Sequence, residues 1–588
     1  MAQIAPTHLI VEHNHAEWET WLQKWFIPLL ILAIIVNAGG LIIPILEPDG
    51  SLYATIAKTM ARTGDFVNLR VEGRDWLDKP HFPFWMAAIS FKVLGTNSFA
   101  YKFPALLFWA LGAWYTWKLA LSLYGKTVAQ LSVLIYVSAA HLVISNNDVR
   151  AEPYLTGLII GSVYHFYRAS RAKPGLHLLA GSLLAGCACM TKGPFVVITI
   201  GGGFILDWIA GKEWGQFRHP RWYIAIILTA LFTLPELYCL YVQFDLHPEK
   251  LVFGRTGVSG IRFFFWDSQF GRFFNTGPIK GAGDPFFYFH TLLWAFLPWS
   301  LLLYAAIVQK IRRSVDATGL HRRGVPGDMI CLGAALGSFI VFSLSRFQLP
   351  HYLNILFPFF AILTAGYLQN IRRRLTQKTI GIIQNSIAVL LPVLLLLLCW
   401  FFHFPYWPLL MGIIVVLAFL TFLFFRGPSL PGPIARSFSM AMLVFFFINF
   451  ILYPAILQYQ AGTVAGEYTA TLPVQGSTPC YLLQEAPVDY SFEFDCPHPV
   501  ERIPIDSLAS RLPIAASPAA SPGAIPPDSA LVFAPSSFAD TLTHRGYRVL
   551  PIHSFPNFHI SQLTGEFISY RTRSQVVTPW SLMQVRRW

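Results

Sequence analysis

Polar side chains that could carry chemistry stand at the ends of apolar runs along the first 352 residues. They are Asp49, Asp78, Lys79, Asp148, Arg150, Glu152, Lys192, Arg255, Arg262, Asp267, Arg272, Arg346, His351 and Tyr352. The carboxylates can accept a proton or hold a cation, and the cations can bind a phosphate. A lysine or arginine in such a place can also simply extend its long side chain to the lipid headgroups. Asp49 and Glu152 have no such long stem, which favours a chemical role for these two.

The longest polar interval in the first half of the chain, residues 47–85, follows an apolar run that ends at Leu46. Charged groups beside a membrane span are costly to keep unless they serve a function. Within this interval, residues 52–63 predict a short amphipathic helix that lies in the membrane interface, because apolar side chains recur on one face. The residues of that face are Tyr53, Ile56, Ala57 and Met60. An ordinary solvated loop is the alternative.

The composition is that of an integral membrane protein. Of 588 residues, 54% are hydrophobic and 12% are charged, and the mean hydropathy is +0.50. Soluble domains carry roughly 25% charged residues, about twice as many. The net charge of +13 would favour nucleic-acid binding in a soluble protein. Here the basic residues lie in short loops between apolar runs, so membrane topology explains them better.

Thirteen apolar runs approach the roughly 17–25 residues that a helix needs to cross a bilayer. They lie near residues 26–46, 104–122, 127–145, 151–168, 176–191, 194–210, 222–242, 288–308, 328–345, 350–369, 380–403, 407–425 and 437–457. The segment 82–94 is apolar but shorter, and we expect it to lie in the interface. The pattern predicts a polytopic α-helical membrane protein with about 13 transmembrane helices.

The loops between these runs predict an orientation. Clusters of lysine and arginine near residues 168–173, 212–221, 310–323, 372–378 and 426–436 alternate with loops that carry few basic residues. The positive-inside rule places the basic loops in the cytoplasm. The loops 47–103 and 243–287 and the C-terminal region then lie outside, so the polar groups of interest meet on one face of the membrane.

The C-terminal region has a different character. Residues 481–483, 530–533 and 547–552 have the composition of strands, and the Pro/Ala/Ser-rich stretch 513–529 predicts a loop or linker. We therefore expect a transmembrane domain over residues 1–457 and a small extracytoplasmic α/β domain over residues 458–588. A disulfide between Cys480 and Cys496 is expected if this domain faces an oxidising compartment.

Several segments resemble those of one enzyme family. EPDGSLYATIAKTM and WLDKPHFPFW in the first long loop are followed by MTKGP, by Leu-Pro-Trp at 297–299 and by LPHYLNILFPFFAIL. These segments resemble the lipid A aminoarabinose transferases, relatives of the protein O-mannosyltransferases in the integral-membrane GT-C superfamily. The resemblance covers residues 26–370, in the family's order.

The resemblance implies an inverting glycosyltransferase of the bacterial inner membrane, with its active site on the periplasmic face. The expected donor is a hexose or pentose linked to polyprenyl (undecaprenyl) phosphate. The expected acceptor is lipid A, a glycan or a protein.

Individual residues match the family's functional positions. Asp49 matches an essential aspartate of the first loop, and Glu152 takes the place of a second carboxylate, so both are expected to be catalytic. Asp78, Lys79, Arg272 and Tyr352 match positions near the donor phosphate. From their chemistry, Lys192 and Arg346 are added to this substrate-binding set.

The chain departs from the family pattern at three places and leaves one alternative open. Gly50 stands where the family has glutamate, and His81 replaces the second proline of a Lys-Pro-Pro. Gln269 stands where relatives carry histidine, so no metal ligand is assigned, although a divalent cofactor stays open. The alternative function is a transporter or flippase for polyprenyl-linked substrates, favoured by Glu236 inside a predicted span.

Overall fold

The computed structural model describes residues 7–171, 175–318, 327, 329–427, 429–473, 478–512 and 529–587. The predicted linker 513–529 therefore lies outside the described residues, apart from Ser529, which begins a strand. Backbone alone is described for residues 7–15 and 314–318.

Helices lie over all thirteen of the predicted apolar runs, some of them with a break. The helices up to residue 456 are α1 Thr7–Gly39, α2 Asp49–Thr63, α3 Phe82–Leu94, α4 Ser98–Tyr124, α5 Lys126–Ser138, α6 Ala140–Asn147, α7 Glu152–Arg171, α8 Gly175–Lys192, α9 Val196–Ala210, α10 Pro220–Leu240, α11 Gly260–Arg262, α12 Phe287–Ala295, α13 Ser300–Thr318, α14 Ile330–Leu344, α15 Phe357–Gln369, α16 Arg374–Phe402, α17 Trp407–Phe424, α18 Pro431–Phe447 and α19 Tyr453–Ile456.

Several of these helices can cross a membrane by themselves. Among the described residues, six helical segments are long and apolar enough: Ala16–Ile42, Pro220–Asp245, Pro350–Gln369, Arg374–Phe402, Trp407–Phe424 and Pro431–Tyr459. The pair α5 and α6, bent by 51°, makes a seventh if it forms one span. Crossing by the remaining predicted runs stays a prediction. Many large apolar side chains on the long helices are exposed, for example on α17, as expected for surfaces that face lipid.

The first long loop forms a compact layer rather than a solvated connection. The predicted amphipathic helix is present as α2, and its expected apolar face is buried. A two-stranded hairpin follows, with β1 Arg70–Val71 antiparallel to β2 Arg74–Asp75, and then comes α3. Both the helix expected in residues 52–63 and the short segment 82–94 are thus helical. The helix α2 packs on α3 from the same loop and on the C-terminal region, so it is covered by protein on two sides.

The C-terminal region forms a five-stranded mixed sheet with short helices. Its elements are α20 Ala461–Thr469, β3 Cys480–Leu483, α21 Tyr490–Asp495, β4 Val500–Ile503, α22 Leu508–Arg511, β5 Ser529–Pro535, α23 Phe538–His544, β6 Tyr547–Asn557, α24 Gly565–Ile568, α25 Arg573–Val576 and β7 Thr578–Arg587. The strand order is β4-β3-β5-β7-β6, with β4, β3 and β5 parallel and the last two strands antiparallel.

Three of these strands were predicted and two were missed, since β4 and β7 carry charged or polar residues that hide their apolar alternation. The predicted disulfide is not formed in this structure, although the Cys480 and Cys496 side chains lie within hydrogen-bond distance of each other. Cys480 and Cys496 are both buried, and both are free thiols. They lie in one apolar cluster, where a thiol packs as a small hydrophobic group.

A partly buried lysine joins the first loop to the C-terminal sheet region. Lys58 on α2 donates to the carbonyl oxygens of Glu493, Phe494 and Cys496 at 2.9, 2.7 and 2.7 Å. These carbonyls lie at the end of α21, where a positive charge also interacts favourably with the helix dipole.

Two further contacts hold the chain just before and within α2. Glu47 accepts a hydrogen bond from the backbone N–H of Ser491 at 2.7 Å, and Thr55 donates to the carbonyl of Tyr490 at 3.2 Å. The C-terminal region therefore fixes the helix that begins at Asp49.

Replacing Lys58 by methionine tests this junction. Methionine keeps the length of the side chain but donates no hydrogen bond, so three carbonyls lose their charged partner. We expect a loss of about 1.5–3 kcal/mol, as for hydrogen bonds to a charged group. Thermal unfolding in detergent and the rate of proteolytic release of the C-terminal region measure it. Arg62→Met, on the exposed side of the same helix, is the control. Equal effects of the two substitutions would contradict the assignment.

Candidate active site

The first candidate catalytic residue, Asp49, begins helix α2 and pairs with an arginine from a distant loop. Asp49 Oδ2 lies 2.5 Å from Arg150 Nη1, and Arg150 Nη2 lies 2.8 Å from Asp148 Oδ2. Burial raises the pKa of Asp49, and the charge of Arg150 opposes that rise in part. The helix N-terminus also favours a negative charge at this position.

The backbone that leads to Asp49 is held by a lysine of α4. Lys102 is fully buried and donates to the carbonyls of Gly40, Ile43 and Pro44 at 3.0, 2.9 and 3.3 Å. It therefore caps the end of the first span, three residues before Glu47. A Cβ atom at Gly50 would lie 3.3 Å from Asp148 Oδ1. The glycine therefore lets the Asp148 carboxylate approach the backbone next to Asp49, where Arg150 pairs with both acids.

A second group of charges lines what we call the cationic cleft, a partly open cavity of about 90 Å³. Its lining includes Asp78, Lys79, Lys192, Arg272, Phe347 and Tyr352. Asp78 lies at the centre of the charges: Lys79 Nζ is 2.7 Å from its Oδ2, and Arg272 Nη2 bonds to its Oδ1. Burial alone would raise the pKa of Asp78, but the charges of Lys79 and Arg272 outweigh it and hold that pKa below its usual value.

Lys192, the last residue of α8, completes the cleft. Its ammonium lies 3.7 Å from the centre of the Tyr352 ring and forms an ion pair with Glu152, whose side chain is 2% exposed. Gly193 has φ +98°, and a Cβ there would lie 2.1 Å from Gln269 Nε2. Only glycine allows this turn, which brings the Lys192 carbonyl within 3.3 Å of the Gln269 amide.

The arrangement is suited to an anion attached to an apolar chain. Lys79, Lys192 and Arg272 face one cleft in which Asp78 is the one carboxylate among the described lining residues, while Glu152 pairs with Lys192 from behind the wall. Three charge-assisted donors favour a phosphate or carboxylate over a neutral group. The remaining walls are apolar and aromatic, including Phe195, Val196, Phe273, Val341, Phe342 and Ile355. Charge at one end and apolar walls elsewhere match an amphipathic ligand.

The structure brings most of the predicted site residues together. Asp78, Lys79, Lys192, Arg272 and Tyr352 line the cationic cleft. Asp49 lies next to them, since the charges of Lys79 and Asp78 both act on its pKa. Glu152 lies behind Lys192 rather than on the cleft wall.

Arg346 is placed differently from the other predicted residues. Its backbone N–H donates to the Phe273 carbonyl at 3.0 Å, and its side chain is exposed beside the cleft. Its role in binding stays a prediction.

Two contributors were not assigned a role from the sequence. Arg150 stood among the polar groups, but only the fold shows that it joins Asp49 to Asp148. Tyr53 was expected as an apolar contact of α2. The charges of nearby active-site residues nevertheless act on the pKa of its hydroxyl; these residues are Asp49, Asp78, Arg150 and Glu152. Tyr53 lies one helical turn after Asp49, and this spacing could have indicated from the sequence that the two side chains are neighbours.

No metal site accompanies these residues within the described ranges. Among them, no group of three or more His, Cys, Asp or Glu side chains is placed to hold a metal ion. Gln269 contacts Lys192 and Ser268 instead of contributing a ligand. A metal requirement was left open by the sequence and stays untested.

Three comparisons with known proteins relate this geometry to a family. The family model described as dolichyl-phosphate-mannose-protein mannosyltransferase matches residues 78–239. The chain is 28% identical to the undecaprenyl phosphate-alpha-4-amino-4-deoxy-L-arabinose arabinosyl transferase of Edwardsiella ictaluri, over 58% of each chain. It is 28% identical to the protein of that name from an Enterobacter species, over 55% of each. The matches thus span less than two thirds of these relatives.

A solved structure extends the likeness to almost the whole chain. ArnT from Cupriavidus metallidurans bound to undecaprenyl phosphate superposes with a TM-score of 0.73, covering 95% of this chain and 98% of that one at 17% identity. The predicted fold class is confirmed: the chain shares the fold of this solved structure, with several apolar helices that can cross a membrane and a small C-terminal sheet region. In sequence it is similar to the undecaprenyl phosphate-alpha-4-amino-4-deoxy-L-arabinose arabinosyl transferases, which confirms the resemblance found in the sequence.

A double-mutant cycle on Glu152 and Lys192 tests the electrostatics of the cleft. Glu152→Gln leaves a buried lysine without its carboxylate, and Lys192→Met leaves the carboxylate without its cation. Each is expected to cost about 3 kcal/mol or more in unfolding free energy, since one buried partner remains unpaired. The double variant should cost clearly less than the sum.

The exposed ion pair of Arg511 and Glu501, at 3.6 Å, is the matched control. Its coupling energy is expected to stay below about 1 kcal/mol. Chemical denaturation in detergent measures both cycles. Additive effects at Glu152 and Lys192 would show that the pair does not interact in the folded protein.

Proposed function

We propose that the protein is an integral-membrane inverting glycosyltransferase. It takes a hexose or pentose from polyprenyl (undecaprenyl) phosphate and transfers it to a lipid A, glycan or protein acceptor. The observation that carries this proposal is the cationic cleft, where Lys79, Lys192 and Arg272 surround one site with apolar walls. A polyprenyl phosphate has the matching chemistry, an anionic head on a long apolar chain.

The cations would act mainly on the leaving group. As the bond between the sugar C1 and the phosphate oxygen breaks, negative charge develops on the phosphate. Lys79 and Arg272 are fixed by Asp78 before the reaction and face the place where that charge grows. Donors held in position within a poorly hydrated cleft typically stabilise such charge by several kcal/mol.

Asp49 would act on the opposite side of the sugar. An acceptor oxygen attacks C1 from the face away from the phosphate, so the new bond forms with inversion. If the acceptor is a hydroxyl, its proton passes to the Asp49 carboxylate. If the acceptor is a phosphate, no proton is released, and Asp49 with Arg150 only positions it. Glu152 would serve by holding Lys192.

The names of the relatives support the donor class. Two curated relatives are described as undecaprenyl phosphate-aminoarabinose transferases, and the solved neighbour was crystallised with undecaprenyl phosphate. With those relatives we propose location in the bacterial inner membrane. The positive-inside pattern supports a periplasmic active site and a periplasmic soluble domain over residues 458–588.

Glu236, a carboxylate within a predicted span, was the residue that favoured the transport alternative. In the structure this carboxylate is fully buried and bonded to His81, so it does not face an open pathway. Flux of labelled carrier lipid across proteoliposomes without any sugar transfer would favour the alternative.

The decisive variant for the transferase is Asp49→Asn. With purified protein, undecaprenyl-phosphate sugars and a lipid or glycan acceptor extract, we expect transfer to fall about 100-fold or more, as for loss of a general base. The Asn variant should still bind undecaprenyl phosphate, because the cationic cleft is unchanged.

Asp540→Asn, the same chemical change at an exposed position of α23, is the control and should keep full activity. Wild-type turnover by Asp49→Asn would remove Asp49 from the mechanism. No transfer by the wild type from any donor would refute the transferase.

A further inference from the structure

A pair of fully buried polar residues stands directly behind the turn that carries Lys79. Glu236 on α10 accepts from the backbone N–H of His81 at 2.9 Å, and its other oxygen lies 3.1 Å from His81 Nδ1. The remaining ring nitrogen, Nε2, lies 2.9 Å from the Val67 carbonyl. Both side chains are 0% exposed, so neither has water as a substitute partner.

The protons of this pair can be counted from the geometry. A carbonyl only accepts, so Nε2 must carry a hydrogen and donate it to Val67. One further proton then lies between Nδ1 and the Glu236 carboxylate. Whichever of the two holds it, the pair is neutral as a whole. A buried neutral pair with both ring nitrogens bonded costs far less than an isolated buried charge.

The same helix holds the loop at a second place. Gln243, in the π-helical segment Tyr241–Asp245 that extends α10, is also fully buried. Its amide oxygen accepts from the Leu69 N–H at 3.0 Å, and its amide nitrogen donates to the Leu69 carbonyl and to Asp75 Oδ1 at 2.9 and 3.0 Å. Glu236 and Gln243 thus fix both ends of the segment that runs from the hairpin to α3.

His81 transmits this fixation to the cleft over a short, stiff path. Only Pro80 separates it from Lys79, and proline restricts its own φ to about −65°. The backbone N–H of His81 is bonded to Glu236, so the orientation of the Asp78–Lys79 turn depends on α10. A proline at position 81, as in the family's Lys-Pro-Pro, has neither an N–H nor a ring nitrogen to make these contacts.

We propose that Glu236, acting through His81, is a positioning residue for Lys79 in the proposed transfer. The proposal rests on the function proposed above and adds a residue that touches neither donor nor acceptor. It requires hydrogen bonds and not a charge, because the pair is neutral. Glutamine can replace both roles: its oxygen accepts from the His81 N–H, and its amide donates to Nδ1 of a neutral ring.

The test compares Glu236→Gln with Glu236→Ala and Glu236→Asp. The Gln variant should keep wild-type kcat and wild-type affinity for undecaprenyl phosphate. Ala removes both bonds, and Asp is one methylene too short to make both. These variants should lose affinity for undecaprenyl phosphate and kcat/KM on the order of 10- to 100-fold, the size expected when a binding group is misplaced by about 1 Å.

Repeating the Glu236→Ala substitution in a Lys79→Gln variant distinguishes an effect on the position of Lys79 from general destabilisation of the fold. In Lys79→Gln the group to be positioned is already gone, so adding Glu236→Ala should cause no further loss of affinity. Gln384→Ala is the matched control, because Gln384 is a fully buried polar residue that bonds to Pro298 and Ser437 away from the cleft. It should lower the unfolding midpoint without changing undecaprenyl phosphate binding.

The outcomes discriminate between the two proposals. Wild-type affinity and kcat in Glu236→Asp would overturn the positioning role while leaving the transferase intact, even if the Ala variant fails to fold. A loss in Glu236→Gln as large as in Asp would show that the charge itself is needed and would also overturn it. A wild-type protein that neither binds undecaprenyl phosphate nor transfers sugar would refute the proposed function instead.

Discussion

The structure depends on one carboxylate shared by two cations. Lys79 and Arg272 both bond to Asp78, and burial lowers the pKa of Lys79 despite this partner. Without Asp78, two positive groups would repel each other in a poorly hydrated cleft. With Asp78 present, Lys79 and Arg272 are held close together, and an incoming anion can replace the carboxylate as their partner. In the proposed function, a phosphate therefore competes with Asp78 for groups that are already in place.

Much of the remaining architecture serves to keep this cluster and Asp49 in register. Lys102 binds three backbone carbonyls at the end of the first span, just before Asp49. Lys58, on the helix that begins at Asp49, binds three backbone carbonyls of the C-terminal region. The C-terminal region supplies the partners of Lys58, so it acts as a support of the first loop. On the other side, Glu236 and Gln243 hold the segment that ends in Lys79. The charged loop is thus fixed from the membrane helices and from the C-terminal sheet at once.

The parts of this arrangement that are local in sequence were predictable. Hydropathy located helices over every predicted run, and the apolar periodicity of residues 52–63 gave α2. The family resemblance gave Asp78, Lys79, Arg272 and Tyr352, side-chain chemistry added Lys192, and these five residues do line one cleft. The contacts that hold the set were not predictable. Lys58 meets carbonyls more than 430 positions away, and Arg150 meets Asp49 across 101 positions. Such pairs follow from packing and not from spacing.

Other expectations depended on contacts that the sequence does not show. Glu236 was interpreted as an unpaired carboxylate that favours a transport pathway, because its partner, His81, is 155 positions distant in sequence. Cys480 and Cys496 do contact each other, as the predicted disulfide requires, yet they are free thiols in an apolar cluster. Arg346 has the right chemistry for the cleft; its side chain is exposed beside it, and its role in binding stays a prediction.

A structure of the protein with undecaprenyl phosphate bound tests the central claim most directly. We expect the phosphate to lie about 3 Å from Lys79 Nζ and from the Arg272 guanidinium, with at least one of them released from Asp78. The polyprenyl chain should follow the aromatic wall at Phe347 and Tyr352. A phosphate bound elsewhere, with Lys79 and Arg272 both still on Asp78, would contradict the assignment of this cleft.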